Sequence, residues 1–267
     1  MLYLVATPIG NLSDITLRAL EVLKKVDAIL CEDTRHSSIL LRRYGIEKPL
    51  IPHHKFNEKK SLEGHLNRLR EGQELALISD AGTPCINDPG AILVQACIAE
   101  KLPFTAIPGP CSPIVALLLS GFDTARFQCI GFLPKKSQET LRGILAYRGT
   151  TIAFESPERL IDTLEDIARI DPERTIAVAR EMSKTYEECQ RGAAREVLTY
   201  YRQKGVKGEI CLVIAEGKFP TEELPLDELI ELLQEQHGLT LKEAIKLAAN
   251  LLNTAKREVY KRVHTEH

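Results

Sequence analysis

Three times in its first 121 residues the chain repeats one local pattern: a short apolar run, a cluster of Gly, Pro and small polar residues, then a helical stretch. Residues 2–6 run into Thr7-Pro8-Ile9-Gly10, and residues 74–78 into Ser79-Asp80-Ala81-Gly82-Thr83-Pro84. Residues 104–107 run into Pro108-Gly109-Pro110-Cys111-Ser112-Pro113. Short apolar runs bounded by turn formers read as buried strands. Strands that alternate with helices build a parallel sheet, because each helix returns the chain to the same starting edge. All strand-to-helix loops then gather at the carboxyl edge, where open α/β sheets bind ligands. The pattern predicts an α/β domain over residues 1–121.

The stretch 77–90, LISDAGTPCINDPG, is the most loaded of these loops. Gly82 lets a ligand come close to the backbone. Asp88 reads as a helix N-cap and Pro89 as the first helical residue. A plain tight connection that merely needs glycine and a cap would look the same. The strand at 26–31 delivers Glu32-Asp33-Thr34-Arg35-His36 to the same edge, with Asp33 as a cap. A strand at 50–53 and an amphipathic helix at 57–70 complete the domain. No GxGxxG is present, so the usual dinucleotide fingerprint is missing.

Near Gly121-Phe122-Asp123 the pattern changes, and a second, less regular α/β domain is placed at 122–217. Its strands are read at 127–132, 151–154, 175–179, 187–191 and 209–216. Ser156-Pro157 opens a helix as cap and first residue. The strand at 175–179 delivers Arg180-Glu181-Met182-Ser183-Lys184. A polar linker at 218–225 leads to a helical module, placed at 222–267. There, residues 226–236 are amphipathic, Thr240-Leu241-Lys242-Glu243 is a capping box, and Asn253-Thr254 caps a basic third helix.

A net charge of −2 advertises no global field for nucleic acid, so any such site is a local patch. Seven scattered cysteines without a CxxC read as reduced thiols, not as a disulfide framework or zinc site. The histidines at 36, 53, 54 and 65 lack metal-ligand spacing, so no metal is expected. The amino terminus reads as a strand and not a signal peptide, and no apolar run reaches membrane-spanning length. These features point to a cytoplasmic protein that avoids membranes.

The loops together resemble the tetrapyrrole-methylase (class III) fold of S-adenosylmethionine enzymes. The carriers are Val5-Ala6-Thr7-Pro8-Ile9-Gly10-Asn11-Leu12, Cys31-Glu32-Asp33-Thr34-Arg35, residues 79–90 and Pro108-Gly109-Pro110-Cys111-Ser112. Within that fold the chain resembles the ribosomal RNA small subunit methyltransferase I family. That match extends through Glu155-Ser156-Pro157, Ala179-Arg180-Glu181-Met182-Ser183-Lys184 and Lys207-Gly208-Glu209 to about Gly217, and the helical tail resembles the family's C-terminal extension. The resemblance implies two α/β domains of tetrapyrrole-methylase type with a cofactor cleft between them, plus a small C-terminal helical module. It implies S-adenosyl-L-methionine as cofactor, 2′-O-methylation of a cytidine (1402) in 16S ribosomal RNA of the small subunit, and a homodimer.

It further implies a cofactor pocket from Pro8, Asp80, Gly82, Thr83, Pro84, Ile86, Ser112, Phe154, Glu155 and Met182. Thr83 stands where many tetrapyrrole methylases carry an acid. For Phe154 and Met182 core packing is the plainer reading. A ribose hydroxyl must lose its proton, so a carboxylate or a neutral lysine in the cleft is expected to accept it. The candidates are Asp33, Glu181 and Lys184, which would otherwise be caps and surface ion pairs. Arg35 suits a phosphate clamp. Lys135, Lys136, Lys256, Arg257, Lys261 and Arg262 suit RNA phosphates, or an ordinary solvated face. Two rivals remain: a same-fold methyltransferase for a tetrapyrrole or another small or modified substrate, such as a modified histidine, and a non-catalytic RNA-binding assembly module.

Overall fold

The computed structural model describes residues 1–133, 138–217, 226–237, 240–251 and 254–265. They form two compact units, Met1–Gly217 and Lys218–His267. The first unit opens with β1 (Leu2–Val5), α1 (Leu17–Lys25), β2 (Ala28–Cys31), α2 (Thr34–Arg43) and β3 (Leu50–Pro52). It continues with α3 (Glu58–Arg70), β4 (Leu75–Leu77), α4 (Ala91–Ala99), β5 (Phe104–Ile107) and α5 (Ser112–Ser120). The five strands pair in the order β3-β2-β4-β1-β5, all parallel. Side chains of a strand alternate between faces. Ile29, Cys31, Ala76 and Ile78 accordingly face a core with Leu23, Leu40 and Leu41 of α1 and α2. Their neighbours Leu30, Leu75 and Leu77 face Leu66, Leu69, Leu93 and Cys97 of α3 and α4. Covering on both faces is why these strands read as unbroken apolar runs.

The start of α4 differs from the sequence reading. Asp88 is not its cap and Pro89 is not its first residue: Gly90 occupies the cap position and the helix begins at Ala91. Cys85 and Asn87 both take positive φ, 69° and 65°, and these bends delay the helix. The amides of Gly90 and Ile92 donate instead to Glu58 Oε1, at 2.8 and 3.3 Å. A carboxylate from α3, some thirty residues earlier in the chain, thus caps α4. No local pattern announces such a partner.

The second sheet comprises β6 (Phe127–Phe132), β7 (Thr150–Glu155), β8 (Thr175–Arg180), β9 (Glu188–Ala193) and β10 (Ile210–Ile214), with α6 (Gln138–Leu145), α7 (Pro157–Ile170) and α8 (Ala194–Lys204). Its order is β6-β7-β10-β8-β9; β6 and β7 are parallel and the other pairings antiparallel. Leu160, Leu164 and Ile167 of α7 and Val197 and Tyr201 of α8 cover one face. The other face is covered by α5, whose Ala116 and Leu117 pack on Ile152, Ala177, Ala179, Cys211 and Val213. So α5 lies before the boundary expected at 121 but buries its apolar side in the second sheet. That burial, joined by Ile9 and Met182, is what unites both sheets in one unit.

The second unit consists of α9 (Leu226–His237), α10 (Leu241–Leu251) and α11 (Lys256–Thr265). Leu229, Ile230, Leu233, Ala244, Ile245, Ala248, Ala249 and Val259 form its core. The Thr240 amide donates to Glu243 Oε2 at 2.9 Å, one half of the expected capping box. Lys135, Lys136 and Asn253 lie outside the described residues. Among the described residues no helix is long and apolar enough to cross a membrane.

Candidate active site

The carboxyl edge of the parallel sheet is tied together by its own loops. Thr7 and Gly82 exchange two backbone hydrogen bonds, 2.9 and 3.0 Å. The Thr7 hydroxyl donates to the Ser79 carbonyl at 3.0 Å, and the Thr83 hydroxyl to the Pro110 carbonyl at 2.9 Å. Three strand ends are thereby fixed to one another. Gly82 has φ of +80°, a conformation that disfavours any Cβ, and a Cβ there would meet Ile9 Cγ2 at 3.3 Å. Thr83 therefore acts through a loop-to-loop hydrogen bond, which needs no acid at that position.

Against this edge stand the strand ends of the second sheet, and a cavity of about 300 Å³ lies between them. Ile9, Ala81 and Ser112 line it from the first sheet's loops, and Phe132, Phe154, Glu155 and Met182 from the second sheet. A further space of about 180 Å³, sharing Ala81, Ser112, Phe132 and Phe154, extends it past Thr83, Ile86 and Asp88. The Phe132 and Phe154 rings are 5.5 Å apart. Met182 is 7% exposed and sits between two residues of positive φ, Glu181 at 52° and Ser183 at 65°. That bent backbone takes Met182 off the end of β8 and into the cavity wall.

Glu155 reaches the cavity but its carboxylate is engaged elsewhere. It accepts from the Ser156 amide at 2.9 Å and the Thr163 hydroxyl at 2.6 Å, with Arg159 at 3.3 Å. Ser156 occupies the cap position of α7, as read from the sequence, yet its side chain makes no capping bond. Glu155 thus fastens β7 to α7. Gly82 and Pro84 are buried within their loop.

A second cavity, about 200 Å³, adjoins the first through Ile9, Ala81 and Glu209. Pro8, His36, Asp80 and Lys184 also line it. Asp80 Oδ1 accepts from the Asp33 amide at 3.2 Å. Asp33 itself lines neither cavity. It caps α2 through the Arg35 amide at 2.8 Å and pairs with the Arg35 guanidinium at 2.7 Å. Those hydrogen bonds hold its carboxyl far below the usual range, which makes it a weak proton acceptor. Asp88 behaves oppositely: burial, reinforced by Glu32 and Asp80 and opposed by Ser79, pushes its carboxyl up to about 6.

Glu181, Lys184 and Glu209 form a closed cluster at the mouth. Lys184 Nζ lies 3.0 Å from both Glu181 Oε1 and Glu209 Oε2. Burial pulls the Lys184 ammonium down, but the two carboxylates outweigh it and leave it above its ordinary value. Lys184 therefore stays charged, and the expectation that it serves as a neutral proton acceptor fails on electrostatic grounds. Glu181 is held low, first by the Glu209 amide and then by Lys184. The sequence reading missed Ile9, Ala81, Phe132 and Glu209 in the lining. Phe132 carried a faint signal, as the last residue of a strand just past Gly131. Glu209 stood only within the Lys207-Gly208-Glu209 stretch that carries the resemblance; its place at the cavity follows from sheet order, since it precedes β10, whose antiparallel start meets the cavity.

Comparison with known proteins gives a consistent picture. The family model of the Tetrapyrrole (Corrin/Porphyrin) Methylases matches residues 1–198. The chain is similar to the ribosomal RNA small subunit methyltransferase I of Escherichia coli O157:H7, with 44% identity across 97% of this chain and 93% of that protein. It is similar also to the protein of that name from a Hydrogenobaculum species, with 45% identity across 80% of this chain and 95% of the relative. Among solved structures, a uroporphyrin-III-C-methyltransferase from Thermus thermophilus shares the fold, with a TM-score of 0.57 and 20% identity over 80% of this chain and 94% of that one.

Proposed function

Because the chain belongs to the tetrapyrrole methylase family, and within it to the ribosomal RNA small subunit methyltransferase I proteins, we propose that it methylates the 2′-oxygen of cytidine 1402 in 16S ribosomal RNA. It is a methyltransferase that uses S-adenosylmethionine. The observation that carries the reading is the junction of the two cavities at Ile9, Ala81 and Glu209. One space suits a small cofactor and the other opens beside it for the acceptor.

The residues present fit the cofactor. The larger cavity has the size of a small-molecule site and a lining that is mostly apolar, with a few polar groups. Gly82 leaves its loop free of a Cβ on that edge. Ser112, Phe154 and Met182 of this cavity, with Thr83 and Ile86 of its extension, would hold it, while Gly82 and Pro84 shape the loop from within and Pro8 and Asp80 face the adjoining cavity. When bound it supplies a methyl group made electrophilic by the adjoining sulfonium. The protein's own share is alignment and proton removal. In-line displacement gains most from holding the hydroxyl at the right approach. Arg35, exposed at the start of α2, would bind a phosphate by exchanging its contact with Asp33. Lys256, Arg257, Lys261 and Arg262 are all exposed on α11 and offer non-specific phosphate contacts. We propose that two copies of the chain pair in solution, which sedimentation at micromolar concentration tests; a monomer only would overturn it.

The function is tested by offering labelled S-adenosylmethionine with either small ribosomal subunits lacking the methyl group or uroporphyrinogen. The expected result is label on the subunit, mapped to a ribose oxygen, and none on the tetrapyrrole. Label on the tetrapyrrole would transfer the reading to the small-substrate members of the fold. No cofactor binding in calorimetry would make the protein a binding module.

A further inference from the structure

The cluster at the cavity junction divides its labour among three residues. Glu181 lines neither cavity. Its Oε1 accepts from the Glu209 amide at 2.9 Å and from Lys184 Nζ at 3.0 Å, and its own amide donates to the Glu209 carbonyl at 3.0 Å. It can sit there only because residue 208 is glycine: with φ of +89°, a Cβ on Gly208 would lie 2.5 Å from that same oxygen. Glu181 is thus committed to the backbone of residues 208 and 209. Lys184 lines the second cavity and grips Glu209 Oε2. Glu209 lines both cavities, and of the three residues they share it alone is ionisable, beside Ile9 and Ala81.

We propose that Glu209 is the catalytic proton acceptor for the methyl transfer, and that Lys184 and Glu181 are its positioning residues. This assignment rests on the methyltransferase reading above. The ribose hydroxyl gives its proton to the Glu209 carboxylate as its oxygen forms the new bond to the methyl carbon. The sulfur–methyl bond breaks in the same step, and its electron pair stays on the sulfur, leaving a neutral thioether. Charge balances: the sulfonium's positive charge and the carboxylate's negative charge are both discharged. The Lys184 ammonium, 3.0 Å from Glu209 Oε2, holds the carboxylate at the junction. Its side chain is 28% exposed and that of Glu209 is 74% exposed, so an incoming acceptor can reach the carboxylate without unfolding the cluster. The other groups around it are Glu181 from the turn after β8, and His36 and Asp80 across the second cavity.

The test uses the full-length protein, small ribosomal subunits and labelled S-adenosylmethionine, with Glu209→Gln, Glu209→Asp and Lys184→Met. Loss of a general base typically costs about 10²- to 10⁴-fold in rate. Glu209→Gln is expected to lower kcat by that factor, with KM for the subunit and the cofactor Kd from calorimetry within threefold of the parent. The acid limb of its pH–rate profile should vanish, while Glu209→Asp keeps the limb at a reduced rate. Lys184→Met should lower kcat while the KM for the subunit and the cofactor Kd stay within threefold of the parent. A merely structural role for Lys184 would instead raise the KM or the cofactor Kd together with the rate loss. An unmodified protein that transfers a methyl group to the subunit together with an equally active Glu209→Gln overturns this assignment alone. So does a rate loss explained by weaker cofactor binding. An unmodified protein that transfers none overturns the assignment and the functional reading together.

Discussion

Glu58→Ala removes the carboxylate that α3 lends to the start of α4. Two amides then lose their acceptor: Gly90, whose hydrogen bond is buried, and Ile92, whose bond is partly buried. A buried donor left unpaired costs about 1–3 kcal/mol. Loss of an anion at a helix N-terminus adds about 0.3–1 kcal/mol. The Ile92 bond is long at 3.3 Å, so it contributes at the low end. His53 Nε2, 3.8 Å from the same oxygen, is too far to count as a hydrogen bond. The sum is about 2–5 kcal/mol for alanine. Glutamine keeps a neutral acceptor oxygen and should cost about 1 kcal/mol, since charge-assisted bonds are roughly twice as strong as neutral ones. Hydrogen exchange at Gly90 and Ile92 reads this directly: about 30- to 5000-fold faster exchange in the alanine variant at 1.36 kcal/mol per tenfold. Because α4 ends the loop that carries Gly82 to Asp88, the alanine variant should also bind S-adenosylmethionine more weakly than the glutamine variant. Unchanged exchange at both amides, with a denaturation midpoint matching the parent, would refute the argument that α4 is capped from α3.

Gly82→Val should leave the protein folded yet reduce cofactor affinity at least tenfold, since a β-branched residue at φ of +80° carries about 1–3 kcal/mol of strain and presses on Ile9; parental affinity in a folded variant refutes this. His65 is 3% exposed, and burial, then His53 and Arg68, pull its pKa from 6.5 to about 4. The folded protein keeps it neutral, so its contribution is complete above about pH 6.5 and is lost as pH falls towards about 4, at most about 3 kcal/mol. His65→Leu should flatten stability between pH 7 and 5; equal slopes in denaturant titrations of both proteins refute it. Changing Lys256, Arg257, Lys261 and Arg262 together to Ala should weaken subunit binding and flatten its salt dependence while cofactor affinity stays as in the parent. Parental salt dependence in the quadruple variant would reduce the patch to a solvated face.

The sequence by itself determined the elements and the edge at which chemistry gathers. Apolar runs such as Leu75-Ala76-Leu77 cannot remain in water, and the turn formers after them leave only one way to continue. Local caps obeyed local rules: the Asp33 side chain accepts from the Arg35 amide, and that of Thr16 from Ala19. The loops around Thr7, Gly82 and Ser112 meet as read, because every parallel strand delivers its loop to the same edge. Only the tertiary structure decided what depends on partners far apart in the chain. It gave α5 to the second sheet, where Ala116 and Leu117 pack on Ala177 and Cys211, residues far from them in sequence. It moved the start of α4 to Ala91, where the Glu58 carboxylate waits. It kept Asp33 out of both cavities and brought in Glu209, whose position follows from β10 lying between β7 and β8. Strand order is set by the competition of all strands for burial and pairing at once, and no window of sequence contains that competition.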